Sequence, residues 1–316
     1  MKKRNICPLL CLAIGSLLLT GCSKKSDSPV NTSNDQTQGE VLTGKIAFAS
    51  SNDGDYEIYT IHADGTNLKK LTDNSIDDKQ PSWSPNGTKI AFQSRSGGKT
   101  EIFVMDTNGS NIVKITSDPA GSDIEEDYPS WSPNGTTLVY ESYKDANSEP
   151  NGTTMINANI YSANSNGAGG YTRITSNLFY EGEPFYSPDN THITFVHAQV
   201  DTITGGNLVS SGYNIYVMNT NGSNWKKLTS GGNDLHPKFS PDGTKIVYDS
   251  DNGICIVDLL GVSTNILSYG GNPSFSPNGD KIVFDASYKI YVMNIDGSNV
   301  KEIPTIANAQ QPVWIN

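Results

Sequence analysis

The sequence predicts an all-β fold: a six-bladed β-propeller of four-stranded antiparallel blades, closed by the C-terminal strand pairing into the first blade. Three observations predict it. One phrase recurs along residues 45–316, the large aromatic side chains keep to three positions of that phrase, and the two ends of the repeat region each lack what the other supplies.

The first residues do not belong to the repeat. Lys2, Lys3 and Arg4 precede an apolar run from about Ile6 to Leu19, shorter than the ~20 residues that span a bilayer and typical of an export signal. Residues 1–21 are therefore expected to be a cleaved signal peptide. The run ends in Leu19-Thr20-Gly21-Cys22, which resembles the bacterial lipobox. That resemblance implies lipidation of Cys22 and cleavage before it. Two or more acyl chains would give stable anchoring, at roughly 0.8 kcal/mol per buried CH₂. Ser23 follows, not the aspartate that holds many Gram-negative lipoproteins at the inner membrane, so outer-membrane placement in the cell envelope is expected. The lipid anchor is the one membrane contact expected.

Residues 22–44 read as a lipidated cysteine and a flexible polar tether, because residues 23–40 hold almost no apolar side chain. Cys7 and Cys11 leave with the signal and Cys22 carries lipid, so Cys255 is alone in the folded part. No intrachain disulfide is then possible, and the domain must be stabilised by burial, for which about 270 residues are ample. Loss of three basic residues leaves 19 Lys plus Arg against 33 Asp plus Glu, a formal charge of −14. Nucleic acid is excluded as a partner on that balance, since its binding depends on basic side chains that neutralise phosphates.

The repeat starts with Pro81-Ser-Trp-Ser-Pro-Asn-Gly-Thr-Lys-Ile-Ala-Phe and returns at Pro129, Pro184, Pro237 and Pro273, with a truncated copy at Pro312. Each blade is expected to begin with an aromatic strand, marked by Trp83, Trp131, Tyr186, Phe239, Phe275 or Trp314. Its Ser-Pro-Asn-Gly or Ser-Pro-Asp-Gly turn supplies the positive φ that a tight hairpin needs. A second strand carries Phe48, Phe92, Tyr140, Phe195, Tyr248 or Phe284, and a third carries Tyr59, Phe103, Tyr161, Tyr216, Cys255 or Tyr291. A second hairpin leads to a fourth strand ending in Leu-Thr or similar. Seventeen of the 28 aromatic residues fall on these positions, which places the large rings where neighbouring sheets stack.

Closure follows from the ends. Lys45 to Ser50 reads as a second strand without an aromatic strand before it, and Pro312 to Ile315 as an aromatic strand with nothing after it. Joining them locks the ring and leaves no open edge between the first and last blades.

The phrase Pro-x-Trp-Ser-Pro-Asn-Gly-x-Lys-Ile-Ala-Phe, joined to Ile-Tyr-Val-Met-Asn-x-Asn-Gly-Ser-Asn-x-x-Lys-Leu-Thr, closely resembles the WD-like repeat of TolB propellers. The resemblance covers nearly all of residues 45–316. It implies the six-bladed fold and, within that family, binding of a peptidoglycan-associated lipoprotein at the propeller mouth. The same repeat builds the propellers of prolyl-oligopeptidase-type and tricorn-like peptidases and of oligogalacturonate lyases, so it specifies fold more than activity. TolB carries an α/β domain before its propeller, where this chain is expected to have only the tether. The resemblance thus favours a TolB-like lipoprotein with its own partner over a component of the Tol-Pal system itself.

Successive turns of an up-and-down blade alternate between the two faces of the disc. Turns after strands one and three are short and uniform, whereas Tyr143 to Ala158, His197 to Tyr213 and Ser117 to Tyr128 are expected to be long connections on the other face. Variation over a regular frame marks that face as the binding surface. The residue before each repeat proline, namely Gln80, Tyr128, Glu183, His236, Asn272 or Gln311, is expected to open an innermost strand at the channel mouth on that face. Such a polar ring can hydrogen-bond a ligand or an inserted loop, and it can equally do no more than solvate a channel. Rim contacts are expected from Asp123, Glu125, Glu126, Asp127, Phe179 and Tyr180, an acid-plus-aromatic set suited to protein or sugar recognition.

Catalysis is not expected. No Gly-x-Ser-x-Gly elbow is present, which excludes the peptidase chemistry of that class. Of His62, His192, His197 and His236, only His236 takes a channel-mouth position, so a histidine-held metal centre is not expected and no cofactor is. The expected function is non-enzymatic binding or scaffolding of a cell-envelope protein by a monomer. A polysaccharide-binding or polysaccharide-degrading propeller is the alternative, and participation in a Tol-Pal-type system a second one.

Overall fold

The computed structural model describes residues 42–116, 124–144, 158–177, 179–204, 207–230 and 232–316. Residues 1–41, with the expected signal peptide, Cys22 and most of the tether, lie outside the described residues, as do Asp123 and residues 145–157 of the longest connection. The described residues form six antiparallel sheets of four strands each.

Blade one holds Lys45–Ser50, Glu57–His62 and Lys69–Lys70, with Ala309–Ile315 as its innermost strand. Closure is as the ends require: Lys45 pairs with Ile315, Ile46 with Trp314 and Ala47 with Val313. Blades two to six begin with Asp78–Trp83, Glu126–Trp131, Tyr180–Tyr186, Leu235–Phe239 and Gly271–Phe275. Their order within each sheet is the order of the chain.

Aromatic placement makes the blades stack. Phe48 lies opposite Tyr59, Phe92 opposite Phe103, Tyr140 opposite Tyr161, Phe195 opposite Tyr216 and Phe284 opposite Tyr291. Ring centroids in these pairs are 5.5 to 6.2 Å apart, an arrangement worth about 0.5–1.5 kcal/mol per pair beyond area burial. Blade five breaks the rule with Tyr248 opposite Cys255. The pairs feed six core clusters, one at each junction between neighbouring blades.

The terminal threonine of Leu-Thr has a specific task. Ile58 N donates to Thr72 Oγ1 at 2.9 Å, and Ile102, Ile160 and Ile215 do the same to Thr116, Thr175 and Thr229. A hydroxyl thus continues the ladder where the short fourth strand stops. In the first hairpins, Ser84 Oγ accepts from Lys89 N at 2.9 Å while Gly87 turns the chain at φ 65°.

One expectation is corrected. Residues 197–213 are not a loop: they belong to a hairpin of His192–Thr204 and Asn207–Asn219, paired out to Thr204 with Asn207. The run Val200, Thr202, Ile203 and Leu208, Val209 is rich in strand-forming residues, so it lengthens the ladder.

Candidate functional site at the channel

The site is built on a distortion repeated in every blade. Gln80, Tyr128, Glu183, His236, Asn272 and Gln311 all have positive φ, between 50° and 60°. Each sits at a β-bulge, where the pairing between the innermost and second strands shifts register. A residue before proline is barred from the right-handed helical region, and a left-handed non-glycine costs of order 1–3 kcal/mol. What holds the bulge is visible in the hydrogen bonds. Glu183 N donates to Glu141 Oε2 (3.1 Å), Asn272 N to Asp249 Oδ1 (3.1 Å), Gln311 N to Asp285 Oδ2 (2.6 Å) and Gln80 N to Gln311 Oε1 (3.0 Å). His236 N likewise donates to Glu183 Oε2. In these five blades the bulge turns the N–H to an acceptor on the preceding blade, and the bonds tie neighbouring blades together around the channel.

The six residues therefore lie inside the channel at the second to fourth position of their strands, deeper than the strand openings expected from sequence. They meet: all six line one cavity of about 50 Å³. The acceptors Glu141, Asp249 and Asp285, together with Lys238, were not singled out by sequence reasoning. Their signal is nonetheless present. Glu141, Asp249 and Asp285 each directly follow the second-strand aromatic, where Ala49, Gln93 and Val196 stand in the other blades.

Charges at the ring are crowded. His236 Nδ1 lies 2.8 Å from Asp249 Oδ1 and its Nε2 3.9 Å from Glu183 Oε1. Burial alone would lower the imidazole, but Glu183 and Asp249 outweigh it and push His236 up to about 9. The Tyr128 ring is 6.0 Å from that imidazole. Burial pushes Glu141 up to about 8, helped by the nearby Asp127 and Glu183 and resisted by the bonds from Tyr143 and Tyr180. Asp127 and Asp285 are raised by burial to about 6, and Lys238 is lowered by it to about 8. Near neutral pH the ring can thus both donate and accept protons in hydrogen bonds.

Most of the expected rim is not rim. Glu126 is fully buried and paired with Lys144, whose ammonium also lies 4.2 Å from the Tyr171 ring centroid. Tyr180 turns inward, its hydroxyl donating to Glu141 Oε2 at 3.0 Å. Asp127 is half-buried, with Oδ1 lacking a hydrogen-bond partner. Phe179 is half-buried edge-on against His197 at 5.8 Å, and Glu125 is half-buried. The reason is local: Lys144 of the same blade covers Glu126, His197 of the same blade packs on Phe179, and Tyr180 reaches back to Glu141 of the preceding blade.

The TolB beta propeller domain model matches this chain twice, over residues 42–157 and 150–316. The Tol-Pal system protein TolB of Geobacter sulfurreducens is 48% identical over 46 residues, a stretch that covers 15% of this chain and 11% of that protein. TolB from Acinetobacter baumannii superposes with a TM-score of 0.68 at 22% identity, covering 86% of this chain and 67% of that one. An oligogalacturonate lyase from Vibrio parahaemolyticus superposes at 0.55 with 16% identity, covering 82% and 74%. Identities this low show a shared fold alone. The repeat match, which takes in all the described blades, shows more: the chain belongs to the TolB beta propeller domain family.

Proposed function

We propose that this chain is a lipid-anchored cell-envelope protein that binds a partner protein at the channel mouth on the face of the long connections. The observation that carries the reading is the small cavity ringed by Gln80, Tyr128, Glu183, His236, Asn272 and Gln311. At about 50 Å³ it is far below the ~300–1,000 Å³ of small-molecule pockets. A cavity of that size suits one side chain of a protein that covers the mouth, whereas the opposite end of the channel opens into a wider pocket of about 480 Å³ beside Trp131, Lys238 and Trp314. Binding without catalysis is the function proposed, by a monomer held to the outer membrane through Cys22. Participation in a Tol-Pal-type system is the second reading, favoured by the 46-residue stretch shared with a protein of that system.

The test is photocrosslinking in intact cells, with the reactive side chain at Glu125 beside the mouth or at Asn86 in an opposite-face turn. The reading expects one envelope protein captured from position 125 and not from 86. Capture from 86 alone would overturn it. The anchor has its own test: Cys22→Ser is expected to move the folded protein from the membrane to the soluble fraction, and continued membrane association without detergent would refute lipidation there.

A further inference from the structure

Five of the six blades protect their outer edge. The outermost strands Lys69–Lys70, Val113–Lys114, Tyr171–Arg173, Lys226–Lys227 and Lys301–Ile303 are two or three residues long, and each carries Lys or Arg. Short, charged edges resist pairing with another chain. Blade five differs. Its outermost strand, Ser263–Leu267, is five residues long and holds no charged residue. Ser263, Thr264 and Asn265 are exposed, and the turn before them presents Leu260 and Val262, 82% and 64% exposed.

Two small residues make this edge possible. Gly253 precedes Ile254 where Glu57, Glu101, Asn159 and Asn214 precede the matching isoleucines of blades one to four. A Cβ there would lie 2.2 Å from the Leu267 carbonyl oxygen, so glycine lets the outer strand run on past a bulge at Ile266 until Leu267 pairs with Ile254, leaving Ser263–Asn265 as its regular ladder. Cys255, in place of a ring, leaves space beside Tyr248. The result is a groove of about 740 Å³ lined by Asp234, Asp251, Tyr248, Cys255, Ser263 and Asn265 among others, with no Lys, Arg or His in its lining. Asp234 is 6% exposed there, and burial raises its carboxyl pKa.

We propose that Ser263–Leu267 is a strand-addition site that takes an extended segment of a partner protein in which basic and apolar residues alternate. The backbone edge supplies the pairing, as in β-augmentation. Side chains of an added strand alternate between faces. On the face of Ser263 and Asn265 they meet the acidic groove, which calls for Lys or Arg. On the other they lie beside Val262, Thr264 and Ile266, which calls for apolar groups. This site is on the rim of the disc, separate from the channel mouth, and stands whether or not the mouth binds a partner.

The test is a fluorescence-anisotropy titration of the full chain with a labelled, end-capped hexapeptide of alternating Val and Lys. Saturable binding is expected, weakened at least tenfold by Thr264→Lys, which gives this edge the charge its neighbours carry and leaves the groove lining intact. Asp251→Asn is expected to weaken it severalfold. The same peptide N-methylated at alternate amides is expected to lose at least tenfold, because pairing needs its N–H groups. Absence of saturable binding would overturn the proposal, as would equal affinity for the Thr264→Lys variant or for the methylated peptide. Self-association of the unmodified chain in sedimentation, abolished by Thr264→Lys, would assign the edge to a second copy and overturn the occupant named here.

Discussion

Two sides of one channel solve the same structural problem with different chemistry. On the side of blades one and two, the Gln80 bulge is held by the neutral amide of Gln311, and Ala49 and Gln93 occupy the positions after the second-strand aromatics. Blades three to six instead supply Glu141, Glu183, Asp249 and Asp285, which hold the bulges of blades four, five, six and one, with His236 and Lys238 among them. A neutral glutamine suffices to satisfy a bulge N–H. The carboxylates on the other side are therefore more than the frame requires, and removing charges from water costs several kcal/mol per ion. The extended hairpin of blade four, His192–Thr204 with Asn207–Asn219, belongs to this charged side. Frame and function separate on that line.

The largest effect should come from breaking the frame both sides share. Deleting residues 309–316 removes the innermost strand of blade one and the cover over the cluster around Phe48, Tyr59 and Trp314. Loss of a cooperative thermal transition is expected. An unchanged melting temperature would contradict the closure.

Next comes a pair of substitutions that weighs the two sides. His236→Ala removes the cation nearest buried Glu183 and half-buried Asp249, and breaking such a pair costs about 3–5 kcal/mol. Gln311→Ala orphans only the Gln80 N–H, for about 1–3 kcal/mol. Urea denaturation measures both; equal losses would erase the distinction.

The pH dependence sharpens the comparison further. Glu141 rises from 4.5 to about 8 on folding and His236 from 6.5 to about 9. For each, the stability it contributes is full below the lower value and lost as pH rises through the upper one. The melting temperature should therefore fall between about pH 4.5 and 8, and less steeply in Glu141→Gln. A slope the variant does not change would remove Glu141 from the account. The smallest change is expected for Gln93→Ala on the neutral side, which should leave that slope as it is.

Sequence revealed the frame because its signals are local. Ser-Pro-Asn-Gly turns set the hairpins, paired rings set the blade stacking, and the incomplete ends set closure. Proline marked which residues face the channel, since Gln80 and its five counterparts all precede one. Depth was not legible, because a bulge with a left-handed residue arises from contacts between blades far apart in sequence, such as Gln80 N with Gln311. The acceptors Glu141, Asp249 and Asp285 stood alone in apolar strands without a motif around them. Glu126 and Tyr180 were read as surface residues because acids and tyrosines usually are, while Lys144 in fact covers the one and the other turns inward to Glu141. Cys255 was seen to depart from its aromatic position, but the groove it opens depends also on Gly253 and on how far the outer strand runs.

The central claim is that the charged side of the channel mouth is where a partner sits. Amide hydrogen exchange, measured on the propeller alone and with the protein captured by crosslinking, tests it without altering any residue. Slowed exchange is expected in 124–128, 180–185 and 234–238, with the Ser84–Gly87 and Ser132–Gly135 turns of the opposite face unchanged. Protection confined to those turns would contradict the account.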